Sequence, residues 1–98
     1  MNFNEHCYSI LRKVPRGKVT TYKQVAIALK SKAYRAVGNA MNRNPYSPKV
    51  PCHRVVKTDG SVGGFASGTG KKTAMLKKEG IKIVNGKIDF GKYLYKFK

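Results

Sequence analysis

The 98-residue chain has no tryptophan, two cysteines and four acidic residues. No apolar run approaches the roughly 20 residues of a membrane-spanning helix. The first residues, with Asn4, Glu5 and His6, lack the basic-then-apolar order of a signal peptide. A cytoplasmic protein that does not span a membrane is therefore expected. Cys7 and Cys52 are far apart in the chain, and a reducing cytosol keeps both as thiols, which argues against a structural disulfide. A chain this short buries only about two-thirds of its unfolded surface, so residues 1–98 read as one domain.

The shortage of acid is the most informative of these features. Twenty-one Lys and Arg leave a formal charge of +17, with twelve bases against two acids in residues 1–70 and nine against two in residues 71–98. The excess therefore belongs to the whole chain. Such self-repulsion costs stability, and the partner that relieves it is a polyanion, with nucleic acid the first expectation and a membrane surface the lesser rival.

Apolar residues Cys7, Tyr8, Ile10, Leu11 and Val14 recur at three- and four-residue spacing, which predicts a first helix over 3–14 capped by Asn4. Pro15-Arg16-Gly17 reads as a turn and Lys18 to Thr20 as a short extended entry. Thr21 and Gln24 have the spacing of a capping box, so a second helix is expected from Tyr22 to Lys30. After a connection at Ser31 to Ala33, Ala36, Val37, Ala40 and Met41 line one face of a third helix, while Arg35, Gly38, Asn39 and Asn42 line the other. Two short helices with a three-residue turn fit the helix-turn-helix pattern; periodicity alone leaves an ordinary helical hairpin equally open.

Three of the four prolines fall between Asn44 and Pro51, which predicts a rigid extended segment delivering Cys52 and continuing through Val55 and Val56. Gly63, Gly64, Gly68 and Gly70 mark a loop whose backbone can approach another molecule; a flexible linker is the plain alternative. Lys71 to Glu79 resumes helical spacing before a Gly80 cap, with Met75, Leu76 and Glu79 on one face. Glu79 is thus one of four acids, turned inward, and an inward carboxylate needs a partner. Ile81–Val84 and Lys87–Phe90 around Asn85-Gly86 predict a hairpin. The last residues mix lysine with Tyr93, Tyr95 and Phe97, which suits either core or nucleic-acid backbone.

Pro51-Cys52-His53-Arg54 puts a thiol beside a titratable base and a permanent cation, each able to favour the thiolate. His6, Cys7, Cys52 and His53 do not have the two-to-four-residue gaps of a zinc site, so no metal is expected. An inert buried thiol and a catalytic one both remain open on this motif alone.

The run Arg35-Ala36-Val37-Gly38-Asn39-Ala40-Met41, followed by Asn44-Pro45 and Pro51-Cys52-His53-Arg54-Val55-Val56, resembles the signature of the O6-alkylguanine-DNA alkyltransferases. Pro15 to Tyr22 before it and Leu76 to Gly80 after it are similar too, so the likeness covers about residues 3–80. The resemblance implies an α+β domain, mainly helical, with a winged-helix-like helix-turn-helix and a short C-terminal hairpin. The implied activity is a cofactor-free, single-turnover repair reaction on double-stranded DNA, moving an alkyl group from O6-alkylguanine to the protein's own cysteine. O4-alkylthymine is a secondary expectation, and a monomer is expected.

By the same resemblance Cys52 is the nucleophile, His53 its base through a water, Glu79 the carboxylate that holds His53, and Tyr22 a proton donor to the guanine ring that assists base rotation. Arg35 matches the finger that fills the gap left by the rotated base; Ala36, Gly38, Asn39, Thr21 and Tyr22 are implied DNA contacts. Met41, Asn44, Val55, Phe65, Ala66 and Ser67 are implied pocket residues, with Ala66 and Ser67 offering backbone N–H groups to the guanine oxygen. The chain departs from the family at Phe65, where tyrosine is usual, at Ser47, where many members have proline, and in lacking the family's common N-terminal domain. A related non-enzymatic branch carries tryptophan at the cysteine position; Cys52 favours transfer. A lesion-binding sensor and a basic structural nucleic-acid protein are the two rival readings.

Overall fold

Asn2 rather than Asn4 starts the first helix, because its side-chain oxygen reaches the Glu5 backbone N–H at 2.9 Å. In a computed structural model of the chain, which describes residues 2–46, 49–62 and 69–97, this helix α1 spans Phe3–Leu11 and buries Cys7, Tyr8 and Leu11. It stops short of Val14, which is buried in the following turn. Strand β1 (Thr20–Thr21) runs directly into helix α2 (Tyr22–Ala28), where the Thr21 hydroxyl accepts from Gln24 N at 3.0 Å, as the sequence predicts.

Helix α2 ends earlier than the predicted Lys30. Lys30 takes a left-handed conformation (φ 57°), and Ser31 N donates back to Ala26 O at 2.8 Å, so the chain reverses within one turn. Helix α3 (Tyr34–Asn42) follows, burying Val37, Ala40 and Met41. Tyr8 fixes α1 to α3 by donating its hydroxyl to Ala40 O at 2.9 Å. Each fully buried Val or Leu in this layer contributes about 1.5–3 kcal/mol to holding the three helices together.

The segment expected to be extended before Cys52 is instead turned. Asn44 accepts from Tyr46 N at 2.9 Å through its side-chain oxygen and donates its amide to Val50 O at 2.8 Å. Cys52 then sits on a 3-10 turn, Cys52–Arg54, closed by Arg54 N donating to Pro51 O at 2.9 Å. The prolines remove donors but leave their carbonyls free to accept, which is what this turn uses. Strand β2 (Val55–Val56) leaves it and pairs in parallel with β1, Thr20 opposite Val55 and Thr21 opposite Val56.

Helix α4 (Thr69–Lys78) closes through Gly80 N to Lys77 O and Ile81 N to Leu76 O. The hairpin forms with β3 (Ile83–Val84) and β4 (Lys87–Ile88), and Asn85 and Gly86 both have positive φ (54° and 74°), the requirement of its two-residue turn. Phe90 is not in the strand as predicted: Asp89 accepts from Gly91 N and starts a short helix α5 (Phe90–Tyr93). The terminal aromatics finish the core. Tyr93 is buried, and Tyr95 and Phe97 pack beside the α1–α3 cluster. The α+β fold is mainly helical, and no described helix is long and apolar enough to cross a membrane.

Candidate active site

The 3-10 turn lies where the two hydrophobic clusters meet: Cys52 and Val55 belong to the α1–α3 cluster, and Val56 to the one under α4 and the hairpin. Cys52 is 5 % exposed and His53 2 %. Burying an imidazole requires a partner, and α4 supplies one, since His53 Nε2 stands 3.0 Å from Glu79 Oε2. The inward carboxylate read from helical spacing therefore has its partner.

Glu79 has a second partner that sequence reasoning missed. Arg54 donates Nε to Glu79 Oε1 at 2.9 Å and Nη2 to Oε2 at 2.6 Å, and its Nη1 donates to Val14 O at 2.8 Å. This fork-on-fork pair fixes the carboxylate plane. Burial alone would raise the Glu79 carboxyl, but the hydrogen bonds from Arg54 and His53 outweigh it and hold the group below the usual carboxylate range, so it stays charged. Burial pushes His53 below its ordinary value, with the Glu79 bond opposing and Arg54 and Lys72 adding to the depression. At neutral pH the imidazole is neutral, Nε2–H is donated to Glu79, and the lone pair is on Nδ1. That Nδ1 is buried and has no hydrogen-bond partner among the described residues.

Lys72 is the other residue that the sequence did not single out. Its side chain is fully buried, its Nζ lies 5.8 Å from the centre of the Tyr22 ring, and α4 packs against the 3-10 turn. Burial lowers its pKa to about 8, with Cys52 raising it and Lys57 lowering it. Tyr22, half-buried at the start of α2, is pushed up by burial and by Cys52, so its phenol keeps its proton. Tyr22 and Lys72 are thus both electrostatic neighbours of Cys52, and Lys72 is one of His53.

The remaining expected residues divide by exposure. Arg35 and Asn39 are exposed on α3, Ala36 and Gly38 are half-buried, and a Cβ built at Gly38 meets nothing within 4 Å. Thr21 is buried, and its hydroxyl accepts from Gln24 N at the α2 cap. Met41 and Val55 are buried in the cluster that holds Cys52, and Asn44 braces the turn before it. Phe65, Ala66 and Ser67, and the substituted Ser47, lie outside the described residues. Among the described residues no group of three or more His, Cys, Asp or Glu is placed to hold a metal.

Helices α2 and α3 around a tight turn, followed by a buried Cys-His pair anchored by a carboxylate, give the chain the architecture of a small helix-turn-helix domain. The family model described as 6-O-methylguanine DNA methyltransferase, DNA binding domain, matches residues 2–81, and the chain belongs to that family. The methylated-DNA–protein-cysteine methyltransferase of Methanosarcina barkeri is 44 % identical over 79 residues, 80 % of this chain and 50 % of that protein. The O6-methylguanine-DNA methyltransferase structure from Pyrococcus kodakaraensis superimposes with a TM-score of 0.76 at 46 % identity, over 83 % of this chain and 47 % of that one. The chain therefore spans about half the length of these relatives. S. pombe Atl1, solved with damaged DNA containing O6-carboxymethylguanine, matches over 99 % of this chain and 100 % of its own, with a TM-score of 0.84 and 27 % identity.

Proposed function

We propose that this chain binds duplex DNA and takes the alkyl group of O6-alkylguanine onto Cys52, once and irreversibly. The observation that carries the reading is the His53–Glu79 pair beside Cys52, which leaves a buried, unprotonated Nδ1 one residue from the thiol. An alkyl ether carbon is a poor electrophile, so transfer needs a preformed thiolate and a proton for the departing guanine.

In this mechanism the Cys52 proton passes through a water to His53 Nδ1, and the ionised Glu79 stabilises the imidazolium. The sulfur attacks the alkyl carbon, a C–S bond forms, the C–O6 bond breaks, and its electron pair leaves with guanine. Tyr22, still a phenol at neutral pH, donates the proton that guanine needs, and solvent restores Tyr22 and His53. Lys72 places a buried positive charge beside the thiolate. The target base must first leave the stack, and Arg35, exposed at the start of α3, would fill the gap. The half-buried Gly38 and Ala36 let that helix approach a minor groove closely, which suits a search that ignores sequence.

The whole-length likeness to Atl1 supports a second reading, a lesion-binding protein that does not transfer. Intact-protein mass after incubation with methylated duplex separates the two. Transfer adds one methyl group, mapped to Cys52; an unchanged mass with retained lesion binding would establish the sensor.

A further inference from the structure

The C-terminal hairpin lies outside residues 2–81, the part matched by the family model. It is tied to the turn that follows the strand leaving the candidate site. Beyond β2 the chain turns through Lys57 to Gly60, Ser61 bridges Lys87, and Ile88 N donates to Gly60 O at 2.9 Å. The approach is close enough that a Cβ at Gly60, where φ is +91°, would stand 3.0 Å from Ile88 O. On the other side Leu94 bridges Val19, and Lys18 Nζ donates to Lys92 O at 3.0 Å. The hairpin is a separate two-stranded sheet, tied to the turn after β2 and to the residue before β1 by single bridges and hydrogen bonds.

Its apolar and charged residues separate cleanly. Tyr93 and Ile88 point into the core, and the Tyr93 hydroxyl accepts from Lys82 N at 3.2 Å. Lys82, Lys87 and Lys92 are exposed and surround a hollow of about 240 Å³ with Val84, Asp89 and Tyr93. The acid in that hollow is already engaged, since Asp89 accepts from Gly91 N at 2.9 Å. Asp59, in the adjoining turn, is held ionised by its hydrogen bonds to Ser61 and by Lys87 and Lys57, and is likewise occupied. Three ammonium groups around one concavity repel one another, and a bound anion is what relieves them.

We infer that this lysine-lined hollow seats backbone phosphates of the duplex, a second DNA contact besides α3. The inference rests on the proposed DNA-directed function for its choice of polyanion. A membrane is disfavoured because Val84 alone among the lining apolar side chains is largely exposed, too little to insert.

The test is the salt dependence of binding to an unmodified duplex of about three helical turns. It compares the wild-type chain with Lys82→Gln/Lys87→Gln/Lys92→Gln and with a control, Lys13→Gln/Lys77→Gln/Lys96→Gln, whose lysines are also exposed but lie elsewhere. Each phosphate contact contributes about 0.9 to the slope of log K against log salt. The hairpin variant is expected to lose about 2 from that slope and at least tenfold in affinity near 0.1 M salt, and the control less than 1. Equal losses in the two variants, or an unchanged slope in the first, overturn the inference. The measurement uses plain DNA, so failure of Cys52 to accept an alkyl group leaves the result standing, whereas absence of wild-type duplex binding sinks both.

Discussion

Cys7 and Cys52 are both buried, 0 % and 5 % exposed, yet their surroundings have opposite chemistry. Cys7 lies on α1 in the apolar cluster, where burial pushes its thiol up to about 11. Cys52 lies on a tight turn with His53 next to it, Lys72 and Tyr22 facing it, and Glu79 and Arg54 behind the imidazole. Burial is therefore common to both thiols. What differs is the set of charges sharing the buried space, and around Cys52 they come from three different segments of the chain.

The sharpest way to break this contrast is to remove each sulfur in turn. Cys52→Ala is expected to abolish transfer of a methyl group while leaving lesion binding within a few-fold. Cys7→Ala should leave transfer intact and cost about 1–2 kcal/mol of stability. Intact mass and a denaturation curve on the two variants give both readings. A methyl group found on Cys7 in the native wild-type protein would refute the assignment.

Next in size are the groups that distinguish the second environment. Glu79→Gln removes the charge that orients His53 and is expected to slow transfer about 10²-fold or more, the usual scale of a positioned acid–base pair. It also leaves Arg54 half-buried without its counter-charge, so stability falls in parallel. Lys72→Met keeps the shape of the buried stem but removes the ammonium. Single-turnover rates should then fall about tenfold or more at pH 7, the loss of a buried charge beside the reacting sulfur. A rate within about twofold of wild type in Lys72→Met would reduce Lys72 to a packing residue.

Much of this arrangement was legible in the sequence. Helical spacing turned Glu79 inward, Thr21 and Gln24 marked the α2 start, and Asn85-Gly86 marked the hairpin because only a few residue types accept two successive positive φ values. Lys72 stands at i, i+3, i+4 and i+7 with Met75, Leu76 and Glu79, a spacing that marks the inward face, but α4 has three other lysines, Lys71, Lys77 and Lys78, and the spacing was not applied to it. Arg54 was not legible: its partners Glu79 and Val14 are distant in sequence and meet only through packing. The turn at Asn44–Tyr46 and the 3-10 turn at Cys52 were read as extended because proline restricts φ and donors but says nothing about where its carbonyl bonds.

A stability profile sharpens the comparison of the two thiol environments. Lys72 titrates near 8 in the folded chain against an ordinary 10.5, so between these values the unfolded chain holds more protons and stability rises with pH. Cys7 is shifted the other way, to about 11 from 9.0, so from pH 9 upward the folded chain holds more protons and stability falls. The two slopes oppose each other above pH 9. Denaturation midpoints should therefore rise between pH 8 and 9, by about 1 kcal/mol, and level off beyond. In Lys72→Met the rise disappears; in Cys7→Ala it continues past pH 9. A wild-type profile that falls from pH 8 would contradict both placements.

The smallest effect probes the outward face of α3, where the demand on the sequence comes from outside the chain. A glycine in a helix interior costs about 0.5–1 kcal/mol relative to alanine. At Gly38 nothing within the protein repays that cost, because a Cβ there meets no atom within 4 Å. Gly38→Ala is thus expected to raise stability by about 0.5–1 kcal/mol and, if the proposed docking of α3 in a groove holds, to weaken duplex binding, since the added methyl group would separate the two. Stability from urea denaturation and affinity from duplex titration should move in opposite directions. If both improve together, the bare position has no DNA against it, and the orientation of α3 on the duplex must be redrawn.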